Sequence, residues 1–280
     1  MMYSLRVTRL LAGNKRPRWF SSEPQVTSTL TSSQIGLITL NHPPANAMGR
    51  VFLQQLKHEM KSMEDARCII LHSALAPKVF SAGADLKERA TMTMEEAEAF
   101  VVQLRTTMQE LSNLPVPVIA AIDGVAVGGG LELALAADLR VVSARSKVGL
   151  PETSLAIVPG AGGTQRLPRL IGEGRAKELI WTGRRLSGVE AAEYGLATRL
   201  VDNEESSLDT AMQLAEEIAK KGPVAIRASK WAIQEGMKKV SMENALEVER
   251  QAYARVLPTN DRLEGLAAFR EGRTPNYRGE

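Results

Sequence analysis

The stretch Gly124-Val125-Ala126-Val127-Gly128-Gly129-Gly130-Leu131-Glu132-Leu133-Ala134-Leu135 places three consecutive glycines directly before a helical pattern whose first turn contains a carboxylate. Glycines allow unusual backbone dihedral angles and a close approach of other backbone segments. The start of a helix also directs unpaired N–H groups and a partial positive charge towards whatever lies beside it. The stretch therefore predicts a binding site for an anionic oxygen. By itself it also fits a phosphate site or simple helix packing.

Two further stretches resemble the first in their small residues and their carboxylates. Ser81-Ala82-Gly83-Ala84-Asp85-Leu86-Lys87-Glu88 follows a predicted strand and supplies a second source of backbone N–H groups. Two such donors that converge on one oxygen form an oxyanion hole. Pro151-Glu152-Thr153-Ser154-Leu155-Ala156-Ile157-Val158-Pro159-Gly160-Ala161-Gly162-Gly163 places a second carboxylate in an apolar loop beside another glycine cluster. From the residues alone, Glu152 also fits an exposed surface acid.

Strands alternate with helices through the first two-thirds of the chain. The apolar patterns predict strands at Ile35–Leu40, 68–71, Val118–Ile122 and 139–142, and helices at 48–63, 95–114 and 131–137. The Ser- and Thr-rich residues before Ile35 predict an exposed lead-in, so the fold is expected to begin at Ile35.

After Gly172 the patterns are helical, and no strong strand competes with them. The predicted helices span 176–181, 188–194, 208–220, Pro223–Gly236 and 241–256. Lys221-Gly222-Pro223 is a helix-breaking sequence between two of them. We place a boundary there, between a mixed α/β part and a helical part.

Composition limits the classes of protein to which the chain can belong. Of its 280 residues, 44% are hydrophobic and 24% are charged, as in ordinary globular proteins, and no apolar run has the length of a membrane helix. The only cysteine, Cys68, excludes an intrachain disulfide and favours core packing. Because the three histidines lack the spacing of metal ligands, we predict no metal site.

The N-terminal residues 1–20 have the composition of a mitochondrial transit peptide. They contain five basic residues and no acidic residue, and no long apolar segment indicates a secretory signal. The alternative is a basic tail without a targeting role. Since the formal net charge is only +3, removal of the segment makes the net charge negative. Global basicity therefore gives no argument for a nucleic-acid partner.

The three small-residue stretches, in this order and at this spacing, resemble the enoyl-CoA hydratase/isomerase, or crotonase, superfamily over about residues 35–279. The resemblance implies an α/β crotonase (ClpP-like) fold, which is a spiral of ββα units at 33–221 with a helical trimerisation segment at 222–280. Residues 1–20 are then the transit peptide and 21–32 a flexible lead-in. A mitochondrial matrix location, no membrane association, and assembly as a homotrimer or a dimer of trimers are the corresponding expectations.

The resemblance also implies roles for particular residues in the hydration of an enoyl-CoA thioester. The N–H groups of Ala84 and Gly129 bind the thioester oxygen, Glu132 deprotonates the water, and Glu152 delivers a proton to C2. The segment that contacts CoA is expected to include Ala82, Asp85, Leu86 and Lys87. CoA is part of the substrate, so no separate cofactor is expected. Phe269 is a candidate either for the acyl pocket or for the core.

Two alternative functions remain at this point. The resemblance also covers isomerases, which move the double bond with one acid–base carboxylate, whereas the second carboxylate favours a hydratase. The motifs at 84–89, 177–180 and 258–265 resemble the branch that hydrates 3-methylglutaconyl-CoA, and one protein of that branch is also described as an AU-rich RNA binder. In the first helix, Arg50, Gln54 and His58 align with the lysines of that RNA-binding pattern. Only one of the three is clearly cationic, so the sequence does not favour RNA as a partner. The preferred acyl chain does not follow from the sequence.

Overall fold

The structure, a computed structural model, describes residues 23–202 and 204–280. The predicted transit peptide, residues 1–20, lies outside the described residues. Ten strands occur in these ranges: β1 (Val26–Leu30), β2 (Ile35–Leu40), β3 (Cys68–Ser73), β4 (Val79–Ser81), β5 (Val118–Ile122), β6 (Val125–Val127), β7 (Leu139–Ser143), β8 (Lys147–Gly149), β9 (Arg185–Ser187) and β10 (Arg199–Val201). The helices are α1 (Arg50–Ser62), α2 (Leu86–Arg89), α3 (Met94–Ser112), α4 (Gly129–Ala136), α5 (Gly163–Ile171), α6 (Glu173–Thr182), α7 (Gly188–Glu193), α8 (Ser207–Ala219), α9 (Pro223–Gly236), α10 (Met242–Val256) and α11 (Asn260–Glu271).

The strands form two sheets. The larger sheet has the order β1-β2-β3-β5-β7-β10, and all its pairs are parallel except the antiparallel pair β1–β2. Strands β3 and β5 are buried on both faces, which explains their continuous apolar sequences. Helix α8 covers one face, where the buried thiol of Cys68 lies among apolar side chains as predicted. The larger core cluster, with α1, α3 and α4, covers the other face.

The smaller sheet positions the loops that the sequence singled out. Its order is β4-β6-β8-β9, and β4, β6 and β8 run parallel to one another. Parallel strands end at the same edge of a sheet, so the loops that follow β4, β6 and β8 emerge side by side. These segments carry Ala84, Gly129 at the start of α4, and Glu152, respectively.

Two expectations about the order of elements were wrong. The flexible lead-in at 21–32 contains strand β1, which pairs with β2 from Val26↔Leu40 to Leu30↔Gly36. Its Ser and Thr residues indicated a loop, but Val26 is fully buried and the strand lies at a sheet edge, where polar side chains face water. The region after Gly172 also contains strands, β9 and β10. Strands of three residues are too short to produce a periodic pattern and are recognisable only by their partners.

The C-terminal helices α9, α10 and α11 follow the predicted breaker at Gly222. Large apolar side chains in these helices and directly after α9 are exposed, including Ile233, Met237, Met242, Leu246, Tyr253, Leu263, Leu266 and Phe269. Phe269 is 87% exposed, so within one chain it belongs neither to the core nor to a pocket. None of the described helices combines the length and the apolar character of a membrane span.

Candidate active site

The glycines before α4 allow two loops to pack backbone against backbone. A Cβ atom on Gly130 would lie 2.2 Å from the carbonyl oxygen of Ser81, and one on Gly83 would lie 2.9 Å from the Gly129 nitrogen. Gly83 and Gly128 also have φ angles of +94° and +56°, in the region that favours glycine. Larger residues would therefore separate the loop after β4 from the start of α4.

This packing places two unpaired backbone donors close together. A Cβ atom on Gly129 would lie 3.3 Å from the Ala84 nitrogen, which shows how near the two residues are. Neither the Ala84 N–H nor the Gly129 N–H donates a hydrogen bond to another residue of the described ranges. Met48 holds the Ala84 loop from the other side, since its N–H donates to Gly83 O at 2.8 Å and its carbonyl accepts from Asp85 N–H at 3.1 Å. The pair has the arrangement of an oxyanion hole.

A buried polar network supports the loop after β4. The side chain of Asn46 donates to Phe80 O at 2.9 Å and to Ser73 Oγ at 2.8 Å. The hydroxyl of Ser81 donates to Asn46 O at 2.8 Å and accepts from Gly83 N–H at 3.2 Å. Asn46 is fully buried, so these bonds replace its contacts with water. Sequence reasoning did not identify Asn46, because its partners are up to 34 residues away in the chain.

Glu132 lies in the first turn of α4 and is 3% exposed. Its Oε1 accepts from Gly163 N–H at 2.7 Å and from Ala161 N–H at 2.8 Å. Burial raises the pKa of Glu132, whereas these two hydrogen bonds and the charges of Arg166 and Arg105 act in the opposite direction. Burial has the larger effect, so the pKa of Glu132 lies above its ordinary value.

Glu152 opens the 3₁₀ turn Glu152–Leu155 and has a different environment. Its Oε1 would lie 3.3 Å from a Cβ atom on Gly128, and its Oε2 is buried without a hydrogen-bond partner among the described residues. Burial, followed by the charge of Glu132, raises the pKa of Glu152 to about 7. The two carboxyl groups therefore have different environments, because Glu132 accepts two backbone hydrogen bonds and Glu152 Oε2 has no partner among the described residues.

Both carboxyl groups and both backbone donors line one cleft of about 810 Å³. Of the residues predicted to contact CoA, Ala82 and Leu86 line the same cleft, but Asp85 and Lys87 do not. The Asp85 carboxylate accepts from Lys87 N–H at 2.9 Å and from Glu88 N–H at 3.1 Å, so it caps α2. The cleft also contains apolar side chains, among them Val101, Leu104, Leu155, Ile157 and Val158.

Comparison with known proteins agrees with this geometry. A model of the family described as "Enoyl-CoA hydratase/isomerase" matches residues 31–280 of the chain. The chain is 45% identical to "Methylglutaconyl-CoA hydratase, mitochondrial" of Homo sapiens, over 96% of this chain and 83% of that protein. The chain belongs to the enoyl-CoA hydratase/isomerase family. This membership confirms the prediction that the chain is an enzyme of the enoyl-CoA hydratase class.

Other members of the family extend the likeness. The chain is 48% identical to "Enoyl-CoA hydratase domain-containing protein 2, mitochondrial" of Mus musculus, over 87% of this chain and 84% of that protein. The crystal structure of an enoyl-CoA hydratase from Bacillus anthracis superimposes with a TM-score of 0.88 at 48% identity, covering 92% of this chain and 100% of that one. The predicted crotonase fold is thus confirmed, and the mammalian names support the predicted mitochondrial location.

The cleft also contains cationic side chains that the sequence analysis did not identify. Arg89, Arg105 and Arg185 line it, from α2, α3 and β9, respectively. Arg105 follows Val101 by four residues, so both lie on one face of α3. That spacing is visible in the sequence, but the face of α3 that borders the cleft is decided by packing.

Proposed function

We propose that this chain adds water across the 2,3 double bond of a short enoyl-CoA thioester. The observation that carries the proposal is the pair of carboxyl groups, Glu132 and Glu152, that share one cleft with the N–H groups of Ala84 and Gly129 but differ in environment. Such a pair supplies a base and an acid at the same pH.

The proposed reaction uses each group once. The oxygen of a water molecule bonds to C3 while the Glu132 carboxylate takes a proton from that water. The electrons of the double bond move towards the thioester oxygen, whose negative charge the N–H groups of Ala84 and Gly129 stabilise. Glu152 then gives its proton to C2, and the thioester carbonyl is restored. Each proton transfer contributes about 10²–10⁴-fold to the rate.

The proposed substrate is an acyl chain of the 3-methylglutaconyl type. The similarity to the Homo sapiens methylglutaconyl-CoA hydratase and the branch motifs at 84–89, 177–180 and 258–265 support it. We place Arg89 and Arg185 near the CoA phosphates, because guanidinium groups bind phosphate oxygens well. The composition of residues 1–20 and the names of the mammalian relatives support a location in the mitochondrial matrix.

The same proposal includes assembly as a homotrimer or a dimer of trimers. The exposed apolar side chains of α9, α10 and α11 support it, since monomeric soluble proteins rarely expose large contiguous apolar patches.

The alternative functions receive less support. An isomerase needs one acid–base carboxylate, and the second carboxyl group in the cleft favours hydration. RNA capture requires several free cations, but on α1 the Arg50 guanidinium lies 3.4 Å from Glu96 Oε1 and the Lys57 ammonium lies 2.8 Å from Glu110 Oε1. These ion pairs lower the positive potential of that helix.

The test replaces each carboxyl group by an amide of similar shape. Glu132→Gln and Glu152→Gln are each expected to lower kcat for hydration of crotonyl-CoA and 3-methylglutaconyl-CoA by at least about 10²-fold, because each removes one proton transfer. Glu216→Gln, an exposed position on α8, is the matched control and should retain the wild-type kcat. A kcat close to that of the wild type in either active-site variant, on the preferred substrate, would contradict the proposal.

A further inference from the structure

Arg105 is joined to the candidate base through one peptide group. Its Nε donates to the carbonyl oxygen of Gly160 at 3.0 Å. The N–H of the same peptide group, which belongs to Ala161, donates to Glu132 Oε1 at 2.8 Å. Arg105 also lines the cleft, so its guanidinium lies beside the site where Glu132 acts.

The terminal nitrogens of Arg105 remain available. Within residues 23–202 and 204–280, only its Nε forms a hydrogen bond, and no carboxylate pairs with it. Other arginines of the chain, such as Arg184 and Arg273, are paired with glutamates. A guanidinium that is anchored at Nε and open at both terminal nitrogens presents the two-pronged donor pattern that matches a carboxylate.

The surroundings of Arg105 are positively charged. A second pocket of about 550 Å³ shares Arg105 and Gly160 with the cleft and is also lined by Arg166 and Arg169. Nη1 of Arg166 donates to Ala161 O at 3.1 Å, so this cation is anchored on the same loop. An anionic group that enters from the cleft would therefore meet a favourable potential.

The proposed reaction fixes where a second carboxylate of the substrate would lie. Glu132 acts at C3, and in an acyl chain of the glutaconyl type the terminal carboxylate is the second carbon beyond C3. That carboxylate must approach Glu132, and two like charges so close together need a cation between or beside them. Arg89 and Arg185 also line the cleft, but neither forms a described hydrogen bond to the loop that holds Glu132.

We propose that Arg105 binds the terminal carboxylate of the acyl chain and makes the enzyme selective for enoyl-CoA thioesters that carry a second, distal carboxylate. This inference rests on the proposed hydratase function and names the residue that determines its substrate class. Arg105 acts in binding, and the proton transfers remain with the two glutamates.

The test measures selectivity, as the ratio of kcat/KM for 3-methylglutaconyl-CoA to kcat/KM for crotonyl-CoA. Arg105→Gln is expected to lower this ratio by about 10- to 100-fold, the usual effect of losing a hydrogen bond to a charged group. Arg105→Lys should restore part of it. Because both substrates are measured on one preparation, the ratio does not depend on the fraction of active enzyme.

Arg169→Gln is the matched control. Arg169 lines the second pocket but not the cleft, and its Nη1 donates to Gln165 O at 2.7 Å. Its replacement removes the same charge nearby and should leave the ratio at the wild-type value.

The possible outcomes separate this inference from the proposed function. An Arg105→Gln variant that loses activity equally on both substrates, or that keeps the wild-type ratio, overturns the selectivity role. A wild-type enzyme that hydrates crotonyl-CoA but not 3-methylglutaconyl-CoA also overturns it, while the hydratase function stands. Hydration of neither substrate removes both proposals.

Discussion

Glu132 and Glu152 have the same side chain, but the fold gives their carboxyl groups different surroundings. Glu132 receives two backbone N–H donors, whereas Glu152 Oε2 is buried without a partner among the described residues. A carboxylate that accepts backbone hydrogen bonds is stabilised in its charged form, and a desolvated one is not. At the residue scale, the fold therefore gives the two carboxyl groups different hydrogen-bonding environments.

This difference predicts how stability depends on pH. Burial raises the pKa of Glu152 from an ordinary 4.5 to about 7, so between these values the folded protein binds more protons than the unfolded chain. The free energy of unfolding should then fall as the pH rises from about 4.5 to about 7, by less than about 1.4 kcal/mol per pH unit because the carboxyl group is only partly buried. Urea denaturation across this range measures the slope.

The comparison that isolates the effect is with Glu152→Gln, which does not titrate. Its unfolding free energy should lack the contribution of Glu152, so the difference between the wild type and the variant should change across this pH range. A constant difference from pH 5 to pH 7 would mean that the pKa of Glu152 is not raised in the folded protein.

At the scale of elements, the loop after β4 depends on contacts from outside its own sequence. Asn46 reaches Phe80 O and Ser73 Oγ, and Ser81 ties the same loop back to Asn46 O. Asn46 itself has a φ angle of +49°, which Asn and Asp tolerate better than other residues with side chains. The position of the Ala84 N–H is therefore set partly by a residue outside the cleft.

Asn46→Asp tests this role while it preserves the backbone conformation. The carboxylate keeps an acceptor for His42 N–H, which is 2.7 Å from Asn46 Oδ1, but cannot donate to Phe80 O or Ser73 Oγ. We expect a loss of about 2–4 kcal/mol in stability, because a buried carbonyl loses its partner and a charge is buried. We also expect a fall in kcat of at least about 10-fold, because the Ala84 N–H, the proposed oxyanion donor, is displaced.

A control of similar instability distinguishes positioning from general damage. Leu214→Ala removes a buried side chain of α8 on the far face of the larger sheet and should cost about 2–3 kcal/mol. At a temperature where both variants are folded, only Asn46→Asp should have a reduced kcat. Equal kcat values for the two variants would show that Asn46 contributes only to stability.

At the scale of the whole molecule, the C-terminal helices present apolar surface without a partner in the described chain. Phe269 in α11 is 87% exposed, and Met237, directly after α9, is 84% exposed. Burying an aromatic side chain stabilises an association by roughly 1.5–3 kcal/mol. This surface is consistent with contacts between copies of the chain.

The corresponding prediction concerns assembly. In light scattering, the intact protein should have the mass of three or six chains, and Phe269→Glu should shift it towards smaller species, because a charge cannot be buried in an apolar interface without a partner. Arg270→Glu changes an exposed neighbour on the same helix and should leave the mass unchanged. A stable monomer of the intact protein would contradict the proposed assembly.

The sequence by itself identified the family and the alternation of strands and helices, and it singled out Ala84, Gly129, Glu132 and Glu152, which line one cleft in the structure. Long periodic segments such as α3 and α9 were predictable because their apolar spacing is a local property. The glycines before α4 were informative for a similar reason, since their backbone freedom depends on residue type alone.

Only the tertiary structure decided how these parts meet. The short strands β4, β6 and β8 have no periodic pattern, yet their parallel pairing brings three separate loops to one edge. The tertiary structure also determines that Asp85 caps a helix and that Arg105 lies beside the loop that holds Glu132. It buries Glu152 enough to raise the pKa of this residue to about 7. The physical reason is that strand pairing, burial and electrostatic environment depend on residues far apart in the chain, which local patterns do not encode.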